Sequence, residues 1–296
     1  MGVFDGGRRM SQVKGLYIKV TGWMLLLFAV GFFCLQMGCL YAHERFQAEY
    51  VDDRLFYFIN ILCFIFLALA IILLLKPSKI WLWAISGLAV VFILASGGLL
   101  VASNKEIKNI TSLSPDYKHV VSIKEKTKSG DAVYLRSYFG ILARPKERLP
   151  YKTDGVFKVK WLANDIAAVT YKTADGKIEQ FIATYGDRSD GRSYYYVGSE
   201  IQGKWQGKNT KVVSDTKGIT VIVGGRTEFF DWRHIKQFGT LAIVLEKQKQ
   251  AVWTISLNDN FVVPALSGVP KTGDISLYQA TMRDNKPIIL HDQSQK

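Results

Sequence analysis

Cysteine is scarce in this chain of 296 residues and is absent after Cys63. The other two, Cys34 and Cys39, also lie in long apolar runs. Disulfide bonds and cysteine-ligated zinc are therefore excluded from the rest of the chain. Because an exported eukaryotic domain of this size usually carries disulfides, their absence favours a bacterial envelope protein, particularly one of the Gram-positive type.

Charge is absent from three apolar runs near the N-terminus, 22–41, 55–75 and 80–103. Each run is long enough to cross a hydrocarbon core of about 30 Å as a helix, which predicts a membrane part over 22–103. Without an ionisable residue the three spans offer no carrier for a proton or ion relay. No small-x-small cleavage signal precedes His43, so the first run is interpreted as an uncleaved span.

Lysine and arginine in the short flanks predict the orientation of the spans. Residues 1–21 and the loop between the second and third spans together carry Arg8, Arg9, Lys14, Lys19, Lys76 and Lys79. The opposite side carries Arg45, Arg54, Lys105 and Lys108. The excess predicts a cytoplasmic N-terminus in the cell membrane, with everything after Asn104 extracytoplasmic.

Three polar side chains interrupt the spans, namely Gln36, Asn60 and Ser96. At a rise of about 1.5 Å per residue, all three lie roughly 8 to 10 Å below the outer interface. Since polar groups at one depth can form hydrogen bonds between helices, we expect Gln36 and Asn60 to face the interior of the bundle. The spans are interpreted as an anchor and a partner-binding bundle.

Long amphipathic helical patterns are absent after residue 112, where short β-branched and aromatic runs alternate with polar residues. Turn pairs such as Asp154-Gly155 and Asp175-Gly176 separate the runs. This pattern predicts an all-β domain, an antiparallel sandwich or barrel, with propeller-like blades as the alternative. The predicted divisions are a linker at 104–111, a first β module at 112–198 and a second at 199–296.

Two resemblances accompany the β pattern. The segment IQGKWQG, Ile201–Gly207, is similar to the Gly-x-Trp opening of lipocalin-like barrels. The whole layout resembles uncharacterised multi-pass membrane proteins of Gram-positive bacteria that carry an extracytoplasmic β domain. The second resemblance implies a membrane location with an extracytoplasmic β domain, and it identifies no catalytic residue.

Motifs of the common catalytic sites are missing. The segment Gly198–Trp205 fits a phosphate loop until its last position, where Trp205 replaces the required Ser or Thr. There is no Gly-x-Ser-x-Gly, and His119, His234 and His291 form no spaced ligand pair. We therefore predict no catalytic, metal-binding or cofactor-binding residue, and no cofactor.

The stretch YGDRSDGRSYYYVG, Tyr185–Gly198, concentrates charge and tyrosine. Strand-like runs at 178–185 and 194–197 flank Asp190-Gly191, which has the composition of a tight turn. The stretch is therefore predicted to be a surface hairpin loop. Four residues of this stretch, together with a tryptophan from the segment that follows it, are the candidate binding surface: Arg188, Arg192, Tyr194, Tyr196 and Trp205.

The region from Asn104 onward is basic, with 30 Lys and Arg against 20 Asp and Glu. Outside a bacterial membrane the available polyanions are lipid headgroups and wall polymers, not nucleic acid. The sequence therefore predicts a non-enzymatic envelope protein that binds a wall polymer, membrane lipid headgroups or a partner membrane protein. The alternatives are an extracytoplasmic hydrolase and an accessory or immunity subunit of a membrane transporter.

Overall fold

The computed structural model describes residues 5–186, 196–262 and 272–293, and it begins with three long helices. They are α1 (Asp5–Phe46), α2 (Arg54–Leu75) and α3 (Lys79–Glu106). All three contain a stretch long and apolar enough to cross a membrane, which in α1 lies within Val13–Phe46. The predicted spans are confirmed as helices, because their continuous apolar runs leave the backbone no better way to satisfy its hydrogen bonds.

Neighbouring helices pack through aromatic and small residues. Phe64 of α2 and Phe92 of α3 stack with their ring centroids 4.4 Å apart. Gly22 of α1 approaches α2 so closely that an added methyl group would lie 2.8 Å from the Leu74 side chain. On the outward faces large apolar side chains stay exposed, as Trp83 at 77 % shows, which suits a surface that contacts lipid.

The described residues fall into two compact units, and one of them contains the helices. Unit 1 comprises Met1–Asn109 and Leu135–Pro145, and unit 2 comprises Ile110–Tyr134 and Lys146–Lys296. The stretch predicted as a linker, 104–111, contains the end of α3 and most of the first long strand, Ile107–Leu113. The boundary between the two units, after Asn109, falls within this stretch, and the apolar residues Ile107 and Ile110 continue directly into extended structure.

Seventeen strands are present among the described residues, and they form three sheets. The five-stranded sheet has the order β1-β5-β4-β3-β2 and contains β1 (Glu49–Tyr50), β2 (Ile107–Leu113), β3 (Val120–Lys126), β4 (Asp131–Phe139) and β5 (Leu142–Arg148). The three-stranded sheet contains, in order, β6 (Thr153–Ala163), β7 (Ile166–Thr173) and β8 (Ile178–Thr184).

The third sheet has nine strands in the order β12-β11-β10-β9-β17-β16-β15-β14-β13. Its strands are β9 (Gly203–Gly207), β10 (Thr210–Ser214), β11 (Gly218–Val223), β12 (Arg226–Asp231), β13 (Ile235–Phe238), β14 (Ala242–Lys247), β15 (Gln250–Leu257), β16 (Asp274–Gln279) and β17 (Ile288–Asp292). A short helix, α4 (Val197–Glu200), precedes β9.

The nine-stranded sheet curls into a near-closed barrel, and a half-barrel sheet completes the β part. Within this sheet β9, the first strand along the chain, pairs with β17, the last, and His291 lies opposite Gln206. The strands at the two edges of the sheet, β12 and β13, are consecutive in the chain and are joined by a short 3-10 turn. Trp253 of β15 also donates a hydrogen bond to Glu228 of β12 at 2.7 Å. The predicted antiparallel β fold is confirmed as a barrel, and the propeller alternative is not realised because nine strands share one sheet.

The Gly-x-Trp segment opens the first barrel strand. Gly203 has φ 132°, a conformation that favours glycine, and Trp205 follows it into the barrel core. The indole Nε1 of Trp205 donates to the Ile201 carbonyl oxygen at 2.7 Å, so the one polar atom of this side chain is satisfied inside.

Strands β14, β15 and β16 are buried on both faces. One face, with Ile243 and Leu245 of β14, belongs to the barrel core. The alternate residues Ala242 and Val244 pack on the opposite face, in a cluster with Ile166 of the three-stranded sheet. The two predicted β modules therefore contribute to one shared apolar cluster within unit 2.

Adjacent phenylalanines in β12 give a test of the barrel core. Phe230 is 2 % exposed within that core, whereas Phe229 is 54 % exposed on the outer face of the same strand. We expect Phe230→Ala to lower the free energy of unfolding by about 3–5 kcal/mol, because a large cavity replaces the ring. Phe229→Ala should cost less than about 1 kcal/mol. Urea titration of the purified full chain in detergent, followed by tryptophan fluorescence, measures both, and equal losses would contradict the inward position of Phe230.

Candidate functional site

The predicted binding surface is only partly within the described residues. Arg188, Arg192 and Tyr194 lie outside them, and Tyr196 is 63 % exposed. Trp205 is 1 % exposed, so its place in a binding surface is corrected: alternation along β9 directs it into the barrel.

The predicted hairpin Tyr185–Gly198 differs from the structure at its described end. Its first strand is confirmed as β8, but Val197 and Gly198 belong to the helical turn α4, not to a second strand. Gly198 lies against the Trp232 ring, where an added methyl group would come within 2.4 Å of the indole. This close contact holds the end of the stretch against the barrel.

The polar residues of the spans are placed individually by the structure. Gln36 is buried, as predicted; its Oε1 accepts from the Tyr50 hydroxyl at 2.5 Å, and its Nε2 donates to the Phe56 carbonyl oxygen at 3.4 Å. Ser96 is buried and Asn60 is half-buried. Gln36 thus connects α1 to β1 and to the first turn of α2, and these contacts stabilise the ends of the two spans.

A cleft of about 460 Å³ in unit 2 combines charge with buried polar groups. Its walls are residues 146–148 with Pro150, residues 179–184 of β8, and residues 236–239 in and after β13. Lys146, Arg148 and Lys236 on these walls are exposed cations. We call this recess the basic cleft.

Glu179 of β8 is the buried acid of the basic cleft, with 3 % of its surface exposed. Burial raises the pKa of its carboxyl to about 7, and the negative charge of Glu246 acts in the same direction. The positive charges of Lys236 and Lys177 oppose this shift without cancelling it. Near neutral pH a substantial share of the Glu179 side chains is therefore uncharged and able to donate a hydrogen bond.

Lys236 stands opposite on β13 and is held in place by two contacts. Its Nζ lies 2.5 Å from Oε1 of Glu246 and 5.7 Å from the centroid of the Tyr151 ring. Burial alone lowers the pKa of Lys236, but the hydrogen bond and charge of Glu246 outweigh it and raise that pKa. The cation is consequently fixed at the cleft and stays charged at physiological pH.

Beside Glu179, a buried amide fastens the floor of the basic cleft. Gln180 donates from Nε2 to the Thr170 hydroxyl at 2.9 Å, and its Oε1 accepts a hydrogen bond from the Thr254 hydroxyl. Thr254 lies on β15 of the barrel, so the network joins the three-stranded sheet to the barrel wall. Buried polar groups that are fully paired fix a single packing arrangement, which makes the cleft a preformed site.

The sequence alone did not single out Glu179 and Lys236. They lie on different strands, and only the packing of the three-stranded sheet beside β13 brings them to one cleft. One signal was available: β8 reads IEQFIAT, in which Glu179 and Gln180 interrupt an otherwise apolar strand. Successive side chains in a strand point to opposite faces, so if one face of β8 is buried, one of these two polar side chains must be buried and needs hydrogen-bond partners.

The arrangement suits binding of an anion. Three cations lie on the walls of the cleft, together with a carboxyl whose pKa is raised, and lysine and arginine side chains can donate charge-assisted hydrogen bonds to an anion. Among the residues that the structure describes, no group of three or more His, Cys, Asp and Glu side chains is placed to hold a metal ion.

Because the pKa of Glu179 is raised in the folded protein, the free energy of unfolding should depend on pH. In the unfolded chain this carboxyl loses its proton near pH 4.5, whereas in the folded protein it does so near pH 7. The folded state binds the extra proton between these values, so stability should fall as the pH rises from 5 to 7.5. We expect this fall to be about 2 kcal/mol larger in the wild type than in Glu179→Gln, as measured by urea titration across that pH range.

Glu147 supplies the matched control, since it is an exposed carboxylate in the same cleft. Glu147→Gln should leave the pH dependence of the wild type unchanged. Parallel pH profiles for the wild type and Glu179→Gln would contradict the burial of an ionisable acid at position 179.

Comparison with known proteins found no relative of this chain. No protein-family model matches the chain, and no curated protein or solved structure matches it. What the site does is therefore argued from the residues of this chain.

Proposed function

We propose that the chain is a membrane-anchored binding protein of the bacterial cell envelope, whose β domain takes an anionic wall polymer into the basic cleft. The observation that supports it most is the placement of Lys146, Arg148 and Lys236 on the walls of the cleft that contains Glu179. The proposed role is binding without catalysis.

The charge of the β part supports this proposal. An excess of ten positive charges from Asn104 onward attracts polyanions over a distance of about one Debye length, roughly 8 Å at physiological salt. Within the cleft, a protonated Glu179 no longer carries a negative charge that would repel a phosphate group, and it adds a hydrogen-bond donor.

The proposed orientation places the N-terminus in the cytoplasm and the β domain outside. The six lysines and arginines that flank the cytoplasmic side outnumber the four on the other side. The β domain would then face the polymer directly, with its anchor in the membrane.

Binding of poly(glycerol phosphate) to the purified full chain in nanodiscs tests the proposal. We expect Lys146→Gln/Arg148→Gln to weaken binding about thirtyfold, since each of the two cations near an anionic surface contributes about 1 kcal/mol. Binding by the wild type should also weaken with added salt. Lys217→Gln/Arg226→Gln, which removes the same charge from exposed barrel positions, should change affinity less than about twofold.

Equal losses in the two double variants would contradict a role for the basic cleft, and absence of binding by the wild type would reject the polymer as its ligand. The same polymer added to sealed vesicles reports the orientation. Right-side-out vesicles should bind it, whereas binding by everted vesicles alone would place the β domain in the cytoplasm.

A further inference from the structure

Unit 1 contains an apolar groove of about 310 Å³ at the end of α1. Ala42, Phe46 and Ala48 form one side of it, and Leu142 and Ala143 of β5 form the other. Its rim carries Tyr138 and a single charged residue, Arg144. The basic cleft of unit 2 shares none of these residues.

Backbone hydrogen bonds fix the tip of the β4–β5 hairpin beside this groove. Tyr50 pairs with Leu142 and Glu49 with Ala143, and the Val51 N–H donates to the Ile141 carbonyl oxygen at 2.9 Å. The segment between α1 and α2 joins two membrane spans, so it lies at a membrane–water boundary. A strand paired to that segment lies at the same depth.

The uncharged run of α1 ends at Tyr41, and the last turn of the helix, which follows it directly, contributes Ala42 and Phe46 to the groove. The groove therefore opens where the hydrocarbon region gives way to headgroups. Phe46 and Tyr138 are 50 % and 59 % exposed, in the manner of aromatic side chains at an interface. An apolar recess at this depth adjoins acyl chains, whereas a soluble ligand would reach only its rim.

Arg144 is oriented by two aromatic rings. Its guanidinium carbon lies 5.6 Å from the centroid of Phe46 and 5.7 Å from that of Tyr138. Arg144 is exposed, and no ion pair within the described ranges neutralises it. A guanidinium on aromatic faces keeps its N–H groups available at its edge, where a phosphate can accept two parallel hydrogen bonds.

We propose that this groove binds one anionic phospholipid, with the phosphate at Arg144 and the first part of an acyl chain against Phe46 and Leu142. Charge complementarity selects an acidic headgroup, and the position of this apolar groove one turn beyond the uncharged run of α1 selects a lipid over a soluble phosphate. The lipid site is independent of polymer binding in the basic cleft.

Native mass spectrometry of the full chain, released from nanodiscs of phosphatidylcholine and phosphatidylglycerol, tests this site. The wild type should retain phosphatidylglycerol, and Arg144→Gln should reduce the retained fraction about fivefold. Arg144→Lys should fall between them, because it keeps the charge and loses the planar stacking. Arg226→Gln, which removes an exposed arginine from the barrel, is the matched control and should retain lipid as the wild type does.

Two further arms separate a lipid site from a phosphate site. Ala42→Phe fills the groove and leaves Arg144 intact, so it should lower the retention of phosphatidylglycerol as well. Glycerol 3-phosphate at millimolar concentration should not displace the lipid. Wild-type retention in Arg144→Gln or Ala42→Phe, an equal loss in Arg226→Gln, or displacement by glycerol 3-phosphate would each overturn the proposal.

Discussion

The β domain depends on one constraint, which is that strands β14, β15 and β16 are buried on both of their faces. Leu245, Ile255 and Leu277 fill the barrel on one face of these strands. Val244 and Tyr278 on the other face belong to the cluster that includes the three-stranded sheet. Strands in this position lose their apolar contacts on one side if either neighbour is removed, so barrel and three-stranded sheet stabilise each other.

A polar group that is buried between two sheets costs free energy unless it forms a hydrogen bond, so each one there needs a partner. Gln180 finds Thr170 and Thr254 and so fastens one sheet to the other. At the border of the same contact, Glu179 is buried near Lys236, and Lys236 is paired with Glu246. The basic cleft is thus a product of how the sheets pack, and its acid and its cation are held in place by the fold itself.

Periodicity predicted much of this fold, and what it missed depends on contacts between distant residues. Continuous apolar runs located the spans, since a membrane helix is defined along the chain. Turn pairs such as Asp175-Gly176 located the hairpins. The inward position of Trp205 and the meeting of Glu179 with Lys236 were not predicted, because they follow from register and sheet curvature. Within the predicted linker, strand β2 begins directly after the end of α3, so the chain passes from helix to strand without an irregular segment.

Hydrogen exchange of the full chain in detergent measures the double burial most directly. If β14, β15 and β16 are enclosed on both faces, their amides open only when the whole β domain unfolds, and they should exchange most slowly. Strands β10, β11 and β12 are covered by the barrel core on one face and should exchange faster. Equal exchange in the two sets of strands, or faster exchange in β14–β16, would contradict the account.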